Sequence, residues 1–232
     1  MKKYIPNLLT LGNMSAGFIA IIYILNDNLV TAVWFLTAAL LFDFLDGLAA
    51  RLLNAYSDIG AQLDSLADMI SFGVAPGLIM YTLMKQANGA EFLNQVPIFL
   101  PLLIPLLSGI RLAKFNVDKA QSEYFKGLPT PANAFFIFSL VLANEYSDSQ
   151  LIENFVSTRW ILGVFTLIFS YLLITKIPMF SFKFRNLRFK GNELRLVFLA
   201  SCLLLVMVTG FASLPLIIIL YITVSVTWAI IN

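Results

Sequence analysis

Four aspartates in two neighbouring apolar segments are the residues of this sequence whose types and spacing indicate chemistry. Asp43 and Asp46 lie three residues apart near the end of one segment, and Asp64 and Asp68 lie four apart near the start of the next. These spacings place each pair on one face of a helix. Because a short polar turn at 54–58 joins the segments, we expect the two helices to run antiparallel and the four carboxylates to converge.

Oxygen ligands in this arrangement predict a divalent metal site. Four unpaired carboxylates in a small volume repel one another strongly, so either a cation is bound or some of the acids are protonated. The sequence has no histidine, and an all-oxygen ligand set suits Mg²⁺ or Mn²⁺ better than zinc. Four carboxylates are sufficient for two ions about 3.5–4 Å apart, an arrangement that binds a phosphate group from both sides. We therefore expect two Mg²⁺ or Mn²⁺ ions and phosphate chemistry.

Two glycines beside the aspartates fit such a site. Gly47 follows Asp43 by four residues and Gly60 precedes Asp64 by four, so both lie on the carboxylate faces and leave room for a bulky ligand such as a nucleotide. The alternative is that the acids cap helices or pair with lysines. Too few basic residues lie at matching depth to pair the whole set, which favours the metal site.

Composition places these residues in a membrane protein. The 232 residues are 59% hydrophobic and 12% charged, whereas soluble domains have about 25% charged residues. We predict one all-α domain over residues 1–232, a polytopic transmembrane helical bundle in contact with membrane lipid. The net charge of +2 does not indicate a nucleic-acid partner. Eight apolar segments are candidate spans, at about 6–26, 30–50, 62–86, 95–116, 130–145, 158–177, 194–211 and 213–231.

The basic residues predict an orientation. With eight spans both termini lie on one side, and 13 of the 15 lysines and arginines fall on that side, all except Lys85 and Arg159. By the positive-inside rule, the termini and the loops 51–61, 117–129 and 178–193 face the cytoplasm. The aspartates then lie at the cytoplasmic face of the cytoplasmic (inner) membrane.

The aspartates and glycines belong to one longer motif. It is Asp43-x-x-Asp46-Gly47-x-x-Ala50-Arg51, followed after eight residues by Gly60-x-x-x-Asp64-x-x-x-Asp68. At every fixed position this motif resembles the signature of the CDP-alcohol phosphatidyltransferases. The resemblance implies a six-helix catalytic core over about residues 1–177, extra C-terminal helices over about 194–231, and a homodimer.

The same resemblance implies a reaction. An alcohol hydroxyl would attack the lipid-side phosphate of CDP-diacylglycerol, and CMP would leave. The implied roles are metal binding by Asp43, Asp46, Asp64 and Asp68, general-base catalysis by Asp68, and CDP-lipid binding by Gly47, Arg51 and Gly60.

Four flanking segments, 5–13, 69–77, 111–116 and 125–132, resemble the phosphatidylserine synthase branch of this family. Segment 69–77 has a proline and two glycines, which predict a kinked helix beside the aspartates. The resemblance implies that Asn7 and Thr10 approach the CDP diphosphate, and that Arg111 and Lys126 bind the carboxylate of L-serine. Without it, Arg111 and Lys126 could equally anchor helix ends at the membrane surface. Charge alone does not separate serine from glycerol 3-phosphate or an inositol phosphate.

An ion-coupled transporter is the alternative from another functional class, because transporters also place carboxylates inside membrane helices. A transporter predicts charged residues near the middle of the bilayer and two related halves. Here the clustered acids all fall within residues 43–68, at one end of their helices, and the sequence has no second copy of the motif. These features favour the enzyme.

Overall fold

The structure, a computed structural model, describes residues 4–87, 97–117, 125–179 and 192–231, and these ranges are almost entirely helical. The expected all-α fold is therefore confirmed. The helices are α1 (Tyr4–Leu25), α2 (Leu29–Leu52), α3 (Asp58–Asp68), α4 (Ala75–Gln86), α5 (Leu103–Val117), α6 (Thr130–Tyr146), α7 (Gln150–Ser157), α8 (Arg159–Ile174), α9 (Glu193–Thr209) and α10 (Ser213–Ile231). A π-helical turn (Met69–Val74) joins α3 to α4, and 3₁₀ turns lie at Pro97–Leu102 and Gly210–Ala212.

Helix length and composition agree with a polytopic membrane protein. Five helical stretches of the described ranges are long and apolar enough to cross a bilayer, namely Tyr4–Leu25, Leu29–Leu52, Asp58–Gln86, Ile98–Val117 and Glu193–Ile230. Helices α6 and α8 are shorter, with 17 and 16 residues. Each of the eight predicted segments coincides with helix, although the number of crossings stays a prediction. The short helix α7 was not expected from the sequence.

The last apolar stretch is a hairpin of two helices. Gly210 has a φ of +55°, which ends α9 and reverses the chain. The rings of Phe198 in α9 and Tyr221 in α10 then meet edge to face, with their centroids 6.3 Å apart. Helix α10 also packs against α6 and so joins the rest of the bundle.

A tightly defined turn makes α2 and α3 antiparallel. Asn54 adopts a left-handed conformation with φ of 49°, and the Ala55 N–H donates to the Ala50 carbonyl at 2.9 Å. This is the hydrogen-bond pattern that commonly ends a helix. Two residues later Ser57 caps α3, because its Oγ accepts the Gly60 N–H at 3.0 Å. The polar turn predicted from the sequence therefore has a definite conformation, and α1 packs against both of the helices that the turn joins.

Helical periodicity places the first aspartate pair on the inner face of α2. The buried residues of this helix before the aspartates are Leu29, Ala32, Val33, Leu36 and Ala39. Asp43 and Asp46 continue the same face with spacings of four and three residues. Helix α1 covers this face with a stripe of mostly small residues, and small residues let membrane helices pack closely.

Segment 69–77, where a kinked helix was expected, contains a π-helical turn that packs tightly against α1 and α5. The Ala75 N–H donates to the carbonyl of Ile70, five residues earlier. A Cβ added to Gly17 of α1 would collide with Ser71 Oγ and lie 3.1 Å from Ser71 Cα. Single extra turns of this kind are frequent at functional sites, and this one directly follows Asp68.

The segment before α6 is fixed against the end of α8. Strands β1 (Phe125–Lys126) and β2 (Pro178–Met179) pair antiparallel. The Gly127 N–H donates to the Ile177 carbonyl and the Leu128 N–H to the Leu172 carbonyl, both at 2.9 Å. Gly127 has a φ of +74°, and a Cβ there would meet three carbonyl oxygens at 2.9 Å. This docking sets the position of Thr130, the first residue of α6.

We predict that Gly17→Ala destabilises the protein, because the added methyl group would collide with Ser71 Oγ and lie only 3.1 Å from Ser71 Cα. Overpacking of this kind costs about 1–3 kcal/mol, which exceeds the gain of up to ~1 kcal/mol in helix propensity. Thermal unfolding in detergent is the measurement. Gly109→Ala is the matched control, since its Cβ would lie 3.6 Å from Met69 Sδ, an ordinary contact. Equal unfolding temperatures for the two variants would contradict the close helix approach.

Candidate active site

The α2–α3 hairpin brings three of the four aspartates together. Asp43, Asp64 and Asp68 each present a carboxylate oxygen within 4.8 Å of the others. Asp68 is buried and the other two are partly buried. At this separation and an effective dielectric of about 20, each pair of ionised carboxylates repels by about 3 kcal/mol. Such a cluster can hold a divalent cation, which would compensate the repulsion.

Asp46 lies beside this cluster and is held by α1. Thr10 Oγ1 donates a hydrogen bond of 2.6 Å to Asp46 Oδ2, and both residues are buried. The carboxylate stays within electrostatic range of Asp64 and Asp68. Full convergence of four carboxylates was expected, whereas the structure gives a cluster of three and a fourth that is already hydrogen bonded. Thr10, which was expected to approach a diphosphate, contacts a candidate metal ligand.

Asn13 is a site residue that the sequence analysis did not single out. Its Nδ2 donates to Asp68 Oδ1 at 3.4 Å, and its backbone carbonyl accepts the hydroxyl of Ser71 at 3.1 Å. The signal in the sequence is the spacing of three residues from Asn7 to Thr10 and from Thr10 to Asn13. That spacing gives an otherwise apolar helix one polar face, and this face is turned toward the aspartates.

Asn7, Gly60, Gly47 and Arg51 lie at the same end of the bundle as the aspartates. A Cβ on Gly60 would lie 3.1 Å from Asn7 Oδ1, so α1 and α3 approach closely there. Arg51 is exposed, and its Nε donates to the Gly47 carbonyl at 3.1 Å. These four residues thus form an accessible polar edge beside the carboxylates.

Arg111 of α5 is a basic residue close to Asp68. Its Nη1 donates to Thr130 Oγ1 at 3.1 Å, while its buried Nε has no hydrogen-bond partner in the described part of the chain. The guanidinium is within electrostatic range of Asp68 and of Tyr221 in α10. The structure therefore brings Arg111 to the candidate site, together with Thr130 and Tyr221, which the sequence analysis did not select.

Lys126, the second residue expected to bind the carboxylate of serine, belongs to the short strand β1. Its backbone pairs with Pro178 in the short β-ladder, close in sequence to Thr130. Its side chain lies outside the described residues, so its role stays a prediction.

The buried polar atoms of the site fit a bound cation. Asp64 Oδ1 and Asn13 Oδ1 are buried without a hydrogen-bond partner among the described residues. Burying such acceptors unsatisfied is costly, and both are oxygens, the ligand type of Mg²⁺ and Mn²⁺. The three-carboxylate cluster with these free oxygens is suited to a hard divalent ion.

Comparison with known sequences identifies similar proteins. The sequence model of the CDP-alcohol phosphatidyltransferase family matches residues 3–173. A CDP-diacylglycerol–serine O-phosphatidyltransferase of Bacillus subtilis (strain 168) is 34% identical over 181 residues, 78% of this chain and 92% of that protein. The enzyme of the same name from Helicobacter pylori (strain 26695) is 35% identical over 200 residues, 84% and 79% of the two chains. An archaetidylserine synthase of Methanothermobacter thermautotrophicus is 36% identical over 146 residues, 62% and 60%.

We predict that Asp64→Asn raises the unfolding temperature in the presence of a chelator, because it removes a repelling charge from the cluster. The same change should abolish the stabilisation by several degrees that Mn²⁺ gives the wild-type protein, since binding to the folded state alone stabilises it. Differential scanning fluorimetry with chelator or Mn²⁺ measures both effects. Asp58→Asn, at an exposed position of the same helix, is the control. Unchanged Mn²⁺ stabilisation in Asp64→Asn would contradict the metal site.

Proposed function

Because the chain belongs to the CDP-alcohol phosphatidyltransferase family, and is thus an enzyme, we propose that it transfers the phosphatidyl group of CDP-diacylglycerol to the hydroxyl of L-serine and releases CMP. The observation that supports this most is the cluster of Asp43, Asp64 and Asp68, with Arg111 close enough to Asp68 to interact with it electrostatically. A metal-binding carboxylate cluster suits a diphosphate, and a nearby guanidinium suits the carboxylate of an amino acid.

Metal ions are proposed to bind at Asp43, Asp46, Asp64 and Asp68, as two Mg²⁺ or Mn²⁺ ions. When bound they would neutralise the diphosphate and stabilise the negative charge that develops during transfer. Thr10 would orient the Asp46 carboxylate through its hydrogen bond of 2.6 Å. Asn7, Gly47, Arg51 and Gly60 would accommodate the cytidine side of the substrate along the polar edge of the bundle.

Asp68 is proposed as the general base. It is buried, and it is the aspartate nearest in the chain to the π-helical turn. Asn13 would hold Asp68 Oδ1 through its amide, which leaves the other carboxylate oxygen to take the proton of the acceptor hydroxyl. Proximity to Arg111 would keep the carboxylate of serine next to that oxygen. The new bond then forms between the serine oxygen and the lipid phosphorus, and the bond from phosphorus to CMP breaks.

A direct assay tests which alcohol accepts the phosphatidyl group. Purified protein receives CDP-diacylglycerol and Mn²⁺, with serine, glycerol 3-phosphate or inositol phosphate in separate reactions, and released CMP is quantified. We expect release that depends on serine and stops when a chelator is added. Release with a different acceptor would refute the serine assignment and leave the metal chemistry in place. CMP release in the presence of excess chelator would refute the metal dependence.

We predict that Asp68→Asn reduces kcat by roughly 10²–10⁴-fold, the usual contribution of a general base. Binding of CDP-diacylglycerol should be largely retained, because other carboxylates remain at the diphosphate site. Serine-dependent CMP release and calorimetric binding of the CDP-lipid are the two measurements. Normal turnover in this variant would remove Asp68 from the mechanism.

Arg111→Ala is predicted to raise the KM for serine by roughly 10- to 150-fold, the effect of losing a hydrogen bond to a charged group. The KM for CDP-diacylglycerol should change little. Lys114→Ala is the control, since Lys114 is an exposed basic residue one turn along the same helix. An equal rise in both KM values for Arg111→Ala would contradict the serine-carboxylate assignment.

We also propose that the aspartate end of the bundle faces the cytoplasm, in the cytoplasmic membrane of a bacterium, and that the enzyme is a homodimer. The orientation rests on the distribution of basic residues, and the homodimer rests on family resemblance. A variant with Cys202→Ser and Ser57→Cys should resist labelling by membrane-impermeant maleimides in intact cells. Light scattering of the purified protein in detergent gives the number of chains.

A further inference from the structure

A second group of unsatisfied polar atoms lies outside the carboxylate cluster, on α5 and α6. Ser108 and Asn133 are both fully buried, and neither the Ser108 hydroxyl nor either amide atom of Asn133 has a hydrogen-bond partner among the described residues. Arg111 Nε shares this property. Buried polar side chains are usually satisfied, and a fully buried amide with both atoms free is costly in an apolar protein.

Helix spacing places these groups near Arg111. The hydrogen bond from Arg111 to Thr130 joins α5 to the start of α6. Ser108 precedes Arg111 by three residues and Asn133 follows Thr130 by three, so each lies on the helix face that carries one partner of this bond. Three residues of helix span about 4.5 Å.

The surroundings of this pair are closed by packing. Both α5 and α6 pack against the π-helical turn after Asp68, and a Cβ on Gly73 of that turn would lie 3.4 Å from Ser108 Cβ. One further turn along both helices are Ile104 and Ile137, which are buried and apolar. The nearest residues on the same faces of both helices, away from Arg111, are thus apolar.

We propose that Asn133, assisted by Ser108, binds the amino group of the acceptor and makes the enzyme specific for an amino-acid alcohol. This inference rests on the proposed serine synthase function and assigns a specificity-determining residue to it. A zwitterionic acceptor needs a cation for its carboxylate and neutral or acidic oxygens for its ammonium group. Arg111 is the cation, and Asn133 Oδ1 and Ser108 Oγ are buried neutral acceptors one turn away.

This arrangement also explains how the amino group avoids the aspartates. An ammonium group bound by the carboxylate cluster would compete with the metal and with the base Asp68. Neutral oxygens near Arg111 hold it away from those charges. The hydroxyl of the acceptor is then the group left to point toward Asp68. Acceptors without an amino group leave Asn133 unsatisfied, which a buried site penalises.

Asn133→Leu is the test, with two ligands that differ in the amino group. The KM for L-serine should rise by roughly 10- to 150-fold, as expected for a lost hydrogen bond to a charged group. The inhibition constant of 3-hydroxypropanoate, which is serine without its amino group, should stay the same or fall. Because leucine replaces an unsatisfied buried amide, the unfolding temperature should be unchanged or higher.

Controls separate specificity from damage to the fold. Ser139→Ala removes a buried hydroxyl on the same helix that already donates to the Phe136 carbonyl at 2.6 Å, and it should leave both constants unchanged. Asn133→Ala removes the amide without adding bulk and should reproduce the effect of Asn133→Leu. An equal change in the serine KM and the 3-hydroxypropanoate inhibition constant, or no change in either, would overturn the assignment. Wild-type CMP release that does not depend on serine would instead overturn the proposed function and this inference with it.

Discussion

Mutual repulsion of carboxylates at one end of an apolar bundle is the constraint on which the rest of this structure depends. Asp43, Asp64 and Asp68 lie within 4.8 Å of one another, where like charges oppose folding unless a cation joins them. An apolar bundle offers few other ways to hold them, since charged groups in such helices are costly. The helices around the cluster keep these side chains in place. Helix α1 donates hydrogen bonds from Thr10 and Asn13 to the cluster's edge.

Close helix packing makes this arrangement precise enough for chemistry. The α2–α3 turn sets the two aspartate pairs opposite each other, and the contact of Gly17 with Ser71 holds α1 against the π-helical turn. In the proposed reaction two polar regions have different tasks, the carboxylates for the donor and the α5–α6 group around Arg111 for the acceptor. The phosphate side is built from charged ligands, whereas the acceptor side combines one cation with neutral hydrogen-bonding groups. This difference matches a polyanionic donor and a zwitterionic acceptor.

Much of the fold could be predicted from local sequence patterns. The features that could not be predicted have physical reasons. The helices, the α2–α3 turn and the kink after Asp68 depend on hydropathy, spacing, Pro and Gly, all of which are local. The separation of Asp46 from the other carboxylates depends on a contact with Thr10, 36 residues away, which no local pattern determines. Asn133 was missed because one amide in an apolar helix has no spacing signal, and only its burial without a partner identifies it. The folding of α10 back onto α6, which brings Tyr221 near Arg111, is equally a long-range property.

The most direct test of the metal-centred account is a crystal structure of the protein with Mn²⁺ and a CDP-lipid, with anomalous diffraction used to locate manganese. The account predicts anomalous peaks at the carboxylates of Asp43, Asp64 and Asp68, with the diphosphate bound at the same cluster and Arg111 close to Asp68. Two peaks, with Asp46 as a ligand to one of them, would support the two-ion arrangement. A bound CDP-lipid with no manganese at these aspartates would contradict the account, because the carboxylates would then have some other role.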